Sequence, residues 1–75
     1  MIYTGTLATP VGAITGTHVV EAIDVHDGVH FSIASYRPDE PLPAIKQTLH
    51  VADSIPDGGI TLEWVMAMVA SISST

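Results

Sequence analysis

Between Val19 and Tyr36 apolar and polar residues alternate on both sides of the tripeptide His26-Asp27-Gly28. Period-two alternation interrupted by a turn sequence is the pattern of an antiparallel hairpin, so this stretch limits the chain to folds containing one. A three-residue loop with Gly28 in the left-handed bulge position is the register preferred here. It sets Val25 opposite Val29, Ile23 opposite Phe31, Glu21 opposite Ile33 and Val19 opposite Ser35. One face then carries Val19, Ile23, Val25, Val29, Phe31 and Ile33, and the other His18, Val20, Ala22, Asp24, His30, Ser32, Ala34 and Tyr36. A slip of one residue would mix the two sets.

A second hairpin precedes it. Residues 2–17 are rich in Thr, Ile, Val and Tyr, which suit a pleated, half-buried surface, and Thr9-Pro10-Val11-Gly12 breaks them. Proline second and glycine fourth are the preferences of a type I turn, giving strands at about 2–8 and from 13 onward. The tripeptide Thr4-Gly5-Thr6 returns as Thr15-Gly16-Thr17 inside these strands, and glycine there marks a bulge or a close approach of another backbone.

Arg37-Pro38-Asp39-Glu40-Pro41-Leu42-Pro43 holds three of the five prolines and is read as a surface connection. The stretch 45–52 fits either a helical period or a strand, and the strand is preferred. After the loop Asp53-Ser54-Ile55-Pro56-Asp57-Gly58-Gly59, the segment from Thr61 to Ser73 reads as a helix. Thr61 can cap its free amides, Glu63 sits in the first turn, and neither proline nor glycine follows. Leu62, Val65, Met66, Val69 and Ile72 form one stripe that Trp64 and Met68 widen sideways, an apolar arc of about 200°, roughly twice what one sheet face covers. The expected fold is therefore α+β: one domain over 1–75, a small antiparallel β-meander of three to four strands with one C-terminal α-helix packed on one face.

Composition now bears on function. Apolar residues make up 47% of the 75 residues and charged residues 13%, against about 25% charged in ordinary soluble domains. A domain this small shelters little surface, so part of the excess is expected to be covered by a partner or a second copy. Net charge is −6, with Arg37 and Lys46 the only basic side chains. Nucleic-acid binding, which depends on Lys and Arg displacing counterions, is not expected, nor is an electrostatic hold on anionic membranes. Cysteine is absent, which excludes disulfides and thiolate metal sites. The longest apolar run, Trp64 to Ala70, is far short of a membrane span of about 20 residues. No signal peptide is read at the N-terminus, and a cytoplasmic protein is expected.

No catalytic signature is present. None of the serines lies in a nucleophile-elbow sequence, and the glycines form neither a dinucleotide fingerprint nor a phosphate loop. The four histidines raise the question of a metal. In the register above His30 faces Asp24 and His26 ends the same hairpin, but the spacing matches no established ligand pattern. No metal ligand, cofactor or catalytic residue is assigned, and His18 and His50 are expected on the surface. Trp64 and Met68, residue types enriched at interface centres, together with Tyr36 next to the proline loop, are the expected partner-binding residues. The function expected is a non-enzymatic protein-interaction module that self-associates and binds a protein through apolar surface of the helix and sheet. The alternative is a structural subunit of a larger assembly, and the size and low charge suit a small accessory protein of a bacterium or phage.

Overall fold

The structure, a computed structural model, describes residues 1–73. Four strands, β1 (Ile2–Thr9), β2 (Gly12–Val25), β3 (Gly28–Tyr36) and β4 (Ile45–Ala52), precede one helix, α1 (Leu62–Ser73). The strands form a single antiparallel sheet in the order β1-β2-β3-β4. The α+β meander expected from the sequence is therefore the observed fold, with the strand reading of 45–52 correct.

Both tight hairpins are built in one way. A two-residue loop, Pro10-Val11 or His26-Asp27, is followed by a glycine that already pairs with the preceding strand, as Thr9↔Gly12 and Val25↔Gly28. Both glycines have positive φ, 102° at Gly12 and 127° at Gly28, values that a side chain would strain. Thr9 completes the first turn: its hydroxyl donates to the Gly12 carbonyl and accepts from the Val11 amide at 3.2 Å. The recurring Thr-Gly-Thr tripeptides pair with each other, Thr4↔Thr17, Gly5↔Gly16 and Thr6↔Thr15. Gly16 marks a close approach, because a Cβ there would fall 2.0 Å from the Tyr36 carbonyl oxygen.

The β2–β3 register corrects the expectation by one residue. Val20 lies opposite Ile33, Ala22 opposite Phe31 and Ile23 opposite His30. Consequently Val29, Phe31 and Ile33 share their face with His18, Val20 and Ala22, while Val19, Ile23 and Val25 are exposed on the other. Period-two alternation makes such a slip exchange faces. Asp24 now pairs with Val29, on the face opposite to His30, so the juxtaposition of Asp24 with His30 does not exist.

The core contains Leu7, Val20, Val29, Phe31 and Ile33 from the sheet with Val65 and Val69 from α1. Thr61 caps the helix as expected, its hydroxyl accepting from the Trp64 amide at 3.1 Å. Of the apolar arc, Val65 and Val69 are buried, and Trp64, Met68 and Ile72 pack against the core at its margin. Leu62 and Met66 are left exposed. An arc wider than one sheet face can cover must leave one side in water, and this is that side. Of the strands, α1 lies nearest β1.

Candidate binding surface

The expected partner residues fall in two places. Trp64 is half-buried and stands edge-on to Phe31, ring centroids 5.9 Å apart at 83°. Met68 packs beside it against the same core. Tyr36, partly buried, pairs with Thr17 at the far end of β3. The structure does not bring these three residues together.

The structure brings together a different set, of which Leu62 and Met66 were expected in the covered stripe of the helix. Met1, Ile2, Tyr3 and Thr4 along β1 and Leu62, Met66, Ala70 and Ser73 along α1 line an open groove of about 630 Å³. No lining side chain carries a charge. Ile2, Leu62 and Met66 are the most exposed large side chains around it, at 67%, 64% and 54%. The α-amino group of Met1 donates to the Val20 carbonyl at 2.6 Å, and the Val20 amide donates back to the Met1 carbonyl at 2.7 Å.

That reciprocal pair fixes which backbone groups β1 offers outward. Hydrogen-bonded and non-hydrogen-bonded pairs alternate along an antiparallel ladder. With Met1 and Val20 bonded, the inward groups belong to Met1, Tyr3, Gly5, Leu7 and Thr9. Ile2, Thr4, Thr6 and Ala8 therefore turn their amides and carbonyls toward the free edge, next to the groove. Among the described residues, the contact recorded for these outward groups is the Tyr3 hydroxyl on the Thr6 carbonyl, at 3.4 Å. The strand Ile2–Thr9 also contains no charged residue and no proline, the devices that commonly blunt an exposed edge.

A second apolar area lies on the sheet face away from the helix, where Val19, Ile23 and Val25 are exposed. Ile2 pairs with Val19, and Val19 with Ala34, across that face.

The histidines divide differently from the expectation. His18 is fully buried rather than on the surface. Its Nε2 lies 2.9 Å from the Gly5 carbonyl, which can only accept, so Nε2 carries a proton. In the neutral ring Nδ1 then accepts from the Ser35 hydroxyl at 2.7 Å. The ring also lies beside Tyr3, centroids 5.7 Å apart. Every polar atom of this buried imidazole is satisfied, which makes it a rivet between β1, β2 and β3.

His30 and His50 pair across β3 and β4 on the outer face, rings edge-on at 5.2 Å. Nε2 of His30 donates to the Asp27 carboxylate at 3.1 Å. Nε2 of His50 lies 3.3 Å from both the Asp27 carbonyl and the Asp53 carboxylate. His26 is exposed in the turn. Among the described residues no group of three or more His, Cys, Asp and Glu side chains could hold a metal ion. No helix among them is long and apolar enough to cross a membrane.

Comparisons of the chain with protein-family models, with curated proteins and with solved structures find no match.

Proposed function

We propose that the chain is a non-enzymatic, cytoplasmic protein-interaction module that binds a protein partner through apolar surface of α1 and the sheet and self-associates. The observation that carries this reading is the groove beside the free edge of β1, lined by no charged side chain and bordered by exposed Ile2, Leu62 and Met66. Solvent-exposed apolar side chains grouped around a concavity are the usual mark of a contact surface. An unpaired strand edge beside them supplies directional backbone hydrogen bonds, so an extended segment can add to the sheet and bury its side chains against the helix. Trp64 and Met68 support that surface from beneath, by holding α1 on Phe31 and the neighbouring core.

The test is affinity capture from the native host with two baits, the wild-type chain and Met66→Lys. Met66 is exposed, so the lysine leaves the core intact while placing a charge in the groove. Proteins retained by the wild type and lost with Met66→Lys are the expected result. Capture indifferent to the substitution refutes the groove as the binding surface.

The separate apolar area at Val19, Ile23 and Val25 favours one second reading, a structural subunit of a larger particle. A second sticky surface, on the opposite face of the sheet, allows head-to-tail contacts that do not close on a dimer. Particles much heavier than a dimer in light scattering, dispersed by Val19→Glu, are the outcome that reading requires.

A further inference from the structure

We infer that the occupant of the groove is a second copy of this chain, docked β1 against β1 in antiparallel fashion about a two-fold axis. This rests on the groove being a protein-binding surface, and it adds the identity and geometry of what binds.

The first argument is charge. Each copy carries a net −6, so two copies repel in most orientations. The β1 edge is a place where they can meet without opposing like side-chain charges, since neither Ile2–Thr9 nor the groove-lining part of α1 contributes a carboxylate. A basic partner would find no acidic side chain in the groove to recognise. A neutral, β-branched strand fits it, and the chain's own β1, with Ile2, Thr4, Thr6 and Thr9, is one.

The second argument is the ladder. A two-fold axis requires that the same groups face each other from both copies. The outward groups all lie on even-numbered residues, Ile2, Thr4, Thr6 and Ala8. Pairing even with even satisfies donors and acceptors of both copies together. The other edge of the sheet is protected: β4 carries Lys46, and a register shift at its end leaves Val51 outside the pairing.

The third argument is area. Eight residues of β1 run about 27 Å along the edge. The flanking helix, twelve residues, runs about 18 Å; with strand and helix each about 10 Å across, the contact strip is about 450 Å² per copy, or about 900 Å² in total. Stable specific interfaces begin at about 1,200 Å² and smaller ones belong to weak, transient complexes, so the dimer proposed is a reversible one, sought in the micromolar range.

Sedimentation velocity over about 5 to 500 µM brackets that affinity. The expected mass rises from the monomer's 7.9 kDa toward twice that value, 15.8 kDa. Thr4→Pro removes one outward amide and leaves the β1–β2 ladder untouched, because the Thr4 amide faces the free edge. Met66→Lys reaches the same surface from the helix. Both variants, with unchanged circular dichroism, are expected to remain at 7.9 kDa throughout. A wild type that stays monomeric at the highest concentration overturns the proposal, as does a Met66→Lys variant that dimerises as well as the wild type. A monomeric wild type that still captures a host protein in a Met66-dependent way sinks the dimer and spares the binding module. Capture and mass both indifferent to Met66→Lys sink the two together.

Discussion

Replacing Val20 and, separately, its neighbour Val19 by alanine sets the β2–β3 register against its nearest competitor. Val20 is 2% exposed on the helix-facing side, and Val19 is 42% exposed on the other. Each substitution removes two methyl-sized groups worth about 0.8 kcal/mol apiece when buried. At Val20 nearly all of that is lost, about 1.6 kcal/mol, and a cavity among Val29, Phe31 and Ile33 adds about 1 kcal/mol. At Val19 a little over half is lost, about 0.9 kcal/mol, and water fills the space without a cavity term. In a domain of this size 1 kcal/mol moves the melting temperature by about 4–8 °C. Thermal unfolding followed by circular dichroism should then show a drop of about 10–20 °C for Val20→Ala and about 4–8 °C for Val19→Ala. Equal drops, or the larger drop at Val19, would refute the reasoning, since the latter is what a three-residue loop at His26-Asp27-Gly28 requires.

Three further substitutions examine other parts of the scaffold. Ser35→Ala leaves Nδ1 of buried His18 without its partner and should cost about 1–3 kcal/mol in urea unfolding; an unchanged midpoint would remove the three-strand rivet from the account. Gly16→Ala places a Cβ 2.0 Å from the Tyr36 carbonyl oxygen and should destabilise by about 3 kcal/mol, the upper end for overpacking, because backbone cannot move aside as a side chain can. Gln47→Leu should instead raise the urea midpoint by the equivalent of about 1 kcal/mol, because Nε2 of Gln47 is buried with no hydrogen-bond partner among the described residues; a fall in the midpoint would show that the amide is satisfied in solution.

The elements that could be read in the sequence are those with local chemistry at their ends. Proline and glycine around Val11 announced the first hairpin, and Thr61 with Glu63 announced the helix. The β2–β3 register was not legible from alternation, because β2 is apolar on both faces. Val19, Ile23 and Val25 stand on one side, and Val20 and Ala22 with His18 on the other. Only the position of α1 decides which set is covered. One signal was present: Thr9-Pro10-Val11-Gly12 and Val25-His26-Asp27-Gly28 both end in glycine at the fourth position. Treating the second as the first was treated gives the observed pairing.

The binding surface was half-legible for a similar reason. The helix pattern predicted more apolar residues than one sheet face could hide, which is correct, but it centred the covered stripe among Leu62, Val65, Met66, Val69 and Ile72. Phe31 draws Trp64 toward the core, which turns Leu62 and Met66 outward over β1. A ring contact between residues thirty-three positions apart has no trace in local periodicity.

Amide hydrogen exchange along β1, measured residue by residue in dilute and in concentrated protein, tests the occupancy of this edge most directly. The amides of Tyr3, Gly5 and Leu7 should exchange slowly in both samples, being bonded to β2. Those of Thr4, Thr6 and Ala8 should exchange fast when dilute and slow by at least about tenfold when concentrated, as another strand covers them. Fast exchange of these three at both concentrations, in a sample with no added partner, would contradict the self-pairing of β1.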